Sequence, residues 1–107
     1  MSGQIFRIEF YVPQSHLDEV KNALFQAGAG RVGDYDSCAW QTQGVGQFRP
    51  GADSSPFIGS AGELETVTEY KVELVCEAAC LTAAIAALKV AHPYEEPAYA
   101  VIKLETY

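Results

Sequence analysis

Residues 5–12, IFRIEFYV, place Phe6, Ile8, Phe10 and Val12 on one side of an extended backbone and Ile5, Arg7, Glu9 and Tyr11 on the other. That period of two marks a half-buried strand. Pro13 ends it, and the period then changes: Leu17, Val20, Leu24 and Ala27 recur at helical spacing until Gly28, a residue suited to the left-handed position after a helix. Ser15 and Asp18 have the spacing of a capping box at the helix start. A strand handing over directly to an amphipathic helix must bury the apolar stripe of that helix against a sheet. The chain is thereby directed toward a layered α+β architecture.

The second half repeats the plan. From Asp34 the chain reads DYDSCAWQTQGVGQFRPG, a second strand whose end is broken at Gly44 and Gly46, where a bulge or a close backbone approach is expected. The loop that follows, GADSSPFIGSAGELE, is longer than a hairpin needs, so it is either functional or packed against a neighbouring subunit. Residues 66–76 alternate again, with Tyr70, Val72, Leu74 and Cys76 inward and Glu69, Lys71 and Glu73 outward. EAACLTAAIAALKVAH then forms a helix with a Leu81, Ile85 and Leu88 stripe among alanines, stopping at His92 because Pro93 disfavours helical backbone before it. The last strand, residues 98–105, sets Ala100, Ile102 and Leu104 against Tyr99, Val101 and Lys103.

The resulting order β-α-β-β-α-β is the split βαβ, ferredoxin-like pattern: an antiparallel sheet with two helices on one face. With 107 residues, 49% of them apolar, there is enough chain for one core and too little for two, so residues 1–107 are expected to form a single domain. The fold leaves the second sheet face bare. Ile5, Tyr11, Tyr99 and Val101 are expected there, too apolar a set for water, which points to an oligomer that covers them.

A net charge of −7 opposes a phosphate backbone, so neither nucleic acid nor an anionic membrane is an expected partner. From residue 50 onward there are 9 carboxylates against 3 lysines or arginines, an asymmetry read first as a solvated acidic face that aids solubility and second as a field that favours cations or basic partners. The opening MSGQIFRIEFYV is too short and too charged for a signal-peptide core or a membrane span. Cys38, Cys76 and Cys80 are an odd number, read as reduced thiols, and the expected location is cytoplasmic.

Candidate chemistry gathers in AHPYEEPAY, residues 91–99. His92 and His16 are the only imidazoles, and with Cys38, Cys76, Cys80 and nearby acids they offer the donor types of a transition-metal site; His92, Glu95 and Cys38 are its candidates. The Cys76 to Cys80 spacing crosses a strand-to-helix junction, where cysteines more often fill small gaps. Glu95 and Glu96 are adjacent, so on extended backbone they point to opposite sides and do not form an acid and base pair. Tyr94 and Tyr99 either stack and donate hydroxyls or sit as amphipathic rings at a packed edge. Phe48 and Arg49, in GVGQFRPG, add a ring and a cation that either binds an anion or orders the loop. No nucleophile–base pair, G-x-S-x-G, P-loop or dinucleotide fingerprint is present, since Gly28, Gly30 and Gly33 follow a helix rather than a strand.

Taken together, GAGRVGDYDSCAWQTQGVGQFRPG, SPFIGSAGELETVTEYKVEL and AHPYEEPAY resemble the inserted middle domain of the Nif-three-like (YqfO-like) dinuclear-metal proteins, also known as the type 2 GTP cyclohydrolase I family. The resemblance covers nearly the whole chain. That insert is similar to the trimeric, ferredoxin-like PII and CutA modules, which agrees with the strand and helix order above. The two metals of the family are held by an outer domain with no counterpart here, so neither metal ligands nor hydrolase activity carry over, and the chain is expected to be a free-standing version of the insert. The resemblance implies a small oligomeric binding or regulatory module, a homotrimer with a small ligand in its subunit clefts; the cofactor, if any, is unknown. Phe48, Arg49, His92, Tyr94, Glu95 and Glu96 are the ligand-binding candidates, and no residue is assigned as catalytic. The alternative is a CutA-like divalent metal-ion-binding protein, and the third reading is an enzyme acting on a nucleotide.

Overall fold

The alternation at the start of the chain becomes strand β1, Ile5–Pro13, in a computed structural model that describes residues 3–107. Met1 and Ser2 of the opening MSGQIFRIEFYV run lie outside the described residues. A short 3-10 turn, Gln14–His16, leads into helix α1, Leu17–Gln26; then come β2, Trp40–Phe48, β3, Glu65–Glu77, helix α2, Ala78–Ala91, and β4, Tyr99–Lys103. The four strands lie in the order β2-β3-β1-β4 with every neighbouring pair antiparallel, the ferredoxin-like arrangement expected from the sequence.

The inward faces were legible. Ile8, Phe10 and Val12 of β1 and Val72, Leu74 and Cys76 of β3 are buried beneath Leu17, Val20 and Leu24 of α1 and Ala84 and Leu88 of α2. Burial of each large apolar side chain stabilises the fold by roughly 1.5–3 kcal/mol. Burial, followed by the charges of Cys80 and Glu77, pushes the Cys76 thiol up to about 11, so it behaves as a small core hydrophobe. At Gly28, with φ of 104°, α1 turns away in left-handed backbone, and a Cβ there would collide with Cys80 Sγ at the start of α2. The glycine lets the end of one helix touch the beginning of the other.

Several details differ from the expectation. Ser15 does not cap α1: its Oγ lies 2.8 Å from His16 Nδ1, and the 3-10 turn moves the cap to His16, which makes no side-chain capping bond. The second strand begins at Trp40 rather than Asp34, because positive φ angles at Gly30, Gly33 and Ser37 fold the preceding segment into turns. Gly44 and Gly46 do not break β2, whose residues pair without a bulge from Trp40 opposite Glu73 to Phe48 opposite Glu65.

The bare face also differs in membership. Tyr99 pairs with Phe10 and Val101 with Ile8, so both stand on the helix side at the sheet edge, where Lys89 Nζ lies 5.6 Å from the centre of the Tyr99 ring. Residues on β4 are apolar on both sides, so only the pairing register decides which side faces inward. Ala100 and Ile102, opposite Glu9 and Arg7, take their place on the bare face beside Ile5 and Tyr11. Exposed Trp40, Tyr11 and Ile102 keep that face apolar, with one ion pair, Lys71 to Glu9 at 3.8 Å, crossing it.

The β2–β3 hairpin reaches past β1. The partners of β1 on β3 run from Glu77 to Glu69, whereas those of β2 run from Glu73 to Glu65, so residues 45–48 and 65–68 overhang and carry the central loop outward. This gives the molecule its extents of 50 × 24 × 23 Å. Among the described residues no helix is long and apolar enough to cross a membrane.

Replacing Phe10, which is fully buried, by alanine is expected to cost about 3–5 kcal/mol in a urea or guanidinium titration, whereas Val45→Ala on the overhang, 77% exposed, costs less than about 0.5 kcal/mol.

Candidate functional site

Helix α2 ends where Pro93 requires it. His92 is extended, with φ −71° and ψ 135°, yet its N–H still reaches the Leu88 carbonyl at 2.9 Å. The imidazole turns inward and is 5% exposed. Nδ1 accepts the Tyr94 backbone N–H at 3.1 Å, which places the ring proton on Nε2, 2.7 Å from the Tyr11 carbonyl oxygen that accepts it. His92 therefore clasps the helix-to-strand corner to the end of β1, and both of its nitrogens are engaged by backbone. Burial lowers its pKa below the ordinary 6.5 and nearby His16 adds to this, while the Tyr11 bond and the Glu69 charge oppose it.

Two residues further on, the Tyr94 hydroxyl donates to Glu69 Oε2 at 2.7 Å. Glu69 points outward from the helix-covered face, as its alternation implies, yet it is 9% exposed, because the overhanging hairpin and the corner close over it. A Cβ at Gly46, one strand away, would collide with the Glu69 carboxylate, so only glycine leaves the space that the carboxylate fills. The close approach anticipated for the β2 glycines is real and serves this carboxylate. Burial, then the Glu69 bond and charge, push the Tyr94 hydroxyl above the usual phenol range, so it remains a neutral donor.

The central loop folds back over the same corner. Glu95 Oε1 accepts the Ser55 N–H at 2.9 Å, and the Gly62 N–H closes the neck of the loop on the Pro50 carbonyl at 2.8 Å. The Tyr94 ring has Phe48 on one flank at 6.1 Å and Phe57 on another at 6.3 Å, and His16 meets Phe57 edge-on at 5.4 Å. Between loop and corner lies a groove of about 480 Å³. Tyr11, Phe48, Pro56, Phe57 and Ile58 supply apolar lining; buried Glu69 and half-buried Tyr94 supply a polar pair; Arg49, Glu95 and Glu96, all exposed, add charge.

Of the sequence candidates, Phe48, Arg49, Tyr94, Glu95 and Glu96 meet at this groove and His92 holds its corner from behind. Glu95 and Glu96 line it together rather than pointing apart, since residues 94–96 form a bend and not extended backbone. Cys38 lies elsewhere, in a shallow concavity with Arg7, Trp40 and Glu73, its Sγ 3.6 Å from the Asp36 carbonyl oxygen. Among the described residues no group of three or more His, Cys, Asp and Glu side chains converges as a metal ion would need. Sequence reasoning missed Glu69, gave Gly46 only a bulge or a close backbone approach, and reached Phe57 only as part of the SPFIGSAG loop, a candidate for the ligand cleft. The glycine in GVG and the carboxylate in TEY become one feature only when the β2–β3 register brings them together.

No family model matches the chain. It is 47% identical over 94 residues to a protein from Mycobacterium leprae named GTP cyclohydrolase 1 type 2 homolog, a match covering 88% of this chain and 24% of the relative. Among solved structures, a Bacillus cereus protein related to NIF3 superposes with a TM-score of 0.83 at 35% identity, over 99% of this chain and 27% of that one. The periplasmic divalent cation tolerance protein CutA from Archaeoglobus fulgidus superposes at TM-score 0.68 and 15% identity, over 96% of this chain and 86% of that one. The PII protein GlnK of Bacillus subtilis, in a complex with ATP, does so at 0.64 and 16%, over 97% and 84%. The chain thus spans about a quarter of the length of the curated relatives it matches. These matches bear out the resemblance read in the sequence: the chain is homologous to one PII/CutA-like domain of the Nif-three-like proteins.

Two outcomes follow from the corner. Above about pH 6.5 His92 is neutral in both folded and unfolded chain, and its contribution to stability is complete; as pH falls below that value the unfolded chain takes up a proton that the folded chain resists, and stability drops toward the lowered folded pKa. Urea titrations between about pH 7.5 and about pH 5.5 are expected to show this loss in the parent and a flatter profile in a less stable His92→Gln variant. Tyr94→Phe removes the one phenolic donor from a buried carboxylate and is expected to cost about 1.5–3 kcal/mol in the same assay.

Proposed function

We propose that this chain, homologous to one domain of the proteins named GTP cyclohydrolase 1 type 2 homolog, is a small homo-oligomeric binding or regulatory module that takes a small ligand in the groove between its central loop and the 92–98 corner. The observation that carries the reading is the groove itself. Four separated stretches, at Tyr11, residues 46–58, Glu69 and residues 94–98, converge on one concavity with aromatic walls and a buried carboxylate. Its volume falls within the range of about 300–1,000 Å³ usual for small-molecule sites. In this reading Phe48 and Tyr94 present ring faces to the ligand and Arg49 and Glu96 select its charge. His92 and Glu95 hold the two walls together through the Tyr11 and Ser55 bonds.

Residues 1–107 act as a single domain in this reading, and the assembly is a trimer. The exposed Trp40, Tyr11 and Ile102 on the helix-free sheet face support burial against other copies, and so does the likeness of the fold to CutA and PII. The three free cysteines fit a cytoplasmic location.

A second reading, divalent metal binding, is favoured by the name of the Archaeoglobus fulgidus neighbour, a divalent cation tolerance protein. Glu95 is accessible for it, but His92 has both nitrogens on backbone groups and Cys38 lines the other concavity. An enzyme acting on a nucleotide is the third; the relatives' name suggests it, but the chain matches only about a quarter of their length.

Light scattering at micromolar concentration is expected to give three times the chain mass. A thermal-shift screen of nucleotides, divalent metals, small anions and amines is expected to raise the melting temperature with one class, since binding to the native state alone is stabilising. A monomer mass with no stabilising ligand would sink the reading.

A further inference from the structure

We infer that the groove selects a small primary amine, an ammonium group carried on an aryl or alkyl body, rather than an anion or a metal ion. The inference rests on the reading of the groove as a ligand site and names the ligand class for it. Its starting point is Glu69. This carboxylate is 91% buried and, among the described residues, has one hydrogen-bond donor, the neutral Tyr94 hydroxyl, and no ion pair. A desolvated carboxylate without a cation is costly, and a cation entering the groove supplies what the fold omits.

The surroundings agree on sign. Three carboxylates, Glu69, Glu95 and Glu96, line the groove against one guanidinium, Arg49, which is exposed. A phosphate or carboxylate ligand meets a net negative field there. The walls then choose among cations. Phe48, Phe57 and Tyr94 line it, and aromatic rings attract an organic cation within about 6 Å of their centres while offering little to a hydrated metal ion. A hard divalent ion takes about six or more oxygens, whereas the floor holds one buried carboxylate. Tyr94 already takes one acceptor site on Glu69 Oε2, and an ammonium needs only one of the sites that remain.

The test is calorimetry and thermal shift on the full chain near neutral pH. The probes are phenethylamine and hexylamine, the matched alcohol and N-acetyl compounds, 3-phenylpropionate, ATP, and magnesium, zinc and copper ions. The amines are expected to bind, with the neutral analogues at least about tenfold weaker. Glu69→Gln keeps an acceptor for Tyr94 and is expected to weaken amine binding by about tenfold or more without changing the circular dichroism spectrum. Two variants at exposed positions keep the question open to refutation if Glu69→Gln does not fold. Phe57→Ala is expected to weaken the amine about threefold or more, and Arg49→Gln to tighten it. Equal binding of alcohol and amine, or no loss in Phe57→Ala together with no gain in Arg49→Gln, overturns the inference. Binding of ATP or phenylpropionate that Arg49→Gln abolishes overturns it while leaving the groove as a ligand site; metal binding without amine binding does the same. Silence from every probe overturns both.

Discussion

Ile8 and Phe10 on β1 lie directly across from Leu74 and Val72 on β3, with Val12 and Cys76 beside them on the same face, and α1 and α2 close over them with Val20, Leu24, Ala84 and Leu88. This one layer of contact sets the position of everything else. Once the inner face of β1 is committed, the pairing of period two commits the outer face, so Tyr11 must lie on the side away from the helices. Glu69 shares that side, being paired with Pro13 on β1 and Gly44 on β2. The helices cover only the length that β1 shares with β3. The remainder of the hairpin is free to project, and that projection carries one wall of the groove.

The site is polar chemistry placed where the core runs out. At the far end of β1 the sheet loses its helical cover, and three devices replace it. His92 binds the corner to the Tyr11 carbonyl, Tyr94 binds the corner to Glu69, and Glu95 binds it to the loop at Ser55. Each joins residues remote in sequence through one hydrogen bond, and two of the three use backbone atoms: the Tyr11 carbonyl, which every residue type has, and the Ser55 N–H, which every residue type but proline has. The corner AHPYEEPAY is thus a fastening whose two histidine nitrogens are held by backbone groups and whose Tyr94 lines the groove. Its prolines stop the helix and direct the chain toward β4; its polar residues decide what the chain is fastened to.

Periodicity carried the fold because the core is made of residues that alternate strictly, as in IFRIEFYV and YKVELVC, and a period of two or 3.6 has only one economical burial. It failed where both sides of a strand carry similar side chains. Tyr99, Ala100, Val101 and Ile102 give no contrast, so the side facing the helices depends on the register with β1, a nonlocal quantity. It failed at Glu69 for a different reason. A carboxylate in alternation with Tyr70 and Val72 reads as solvent-facing unless the neighbouring strand lacks a side chain to keep it there, and that condition is written at Gly46 in another segment. The candidate site was legible as a cluster of residue types in AHPYEEPAY and QFRP, but its floor was not, because it exists only in the pairing of two strands.

Gly46 has a further consequence for the groove. A side chain at that place must displace the Glu69 carboxylate, and with it the bond to Tyr94 and the buried charge of the groove. The character of the groove is therefore tied to the identity of a single small residue. Glycine at this place, diagonal to Glu69 across the strand pair, leaves room for an acidic floor, and a larger residue there pushes the carboxylate aside and changes the polarity of the groove.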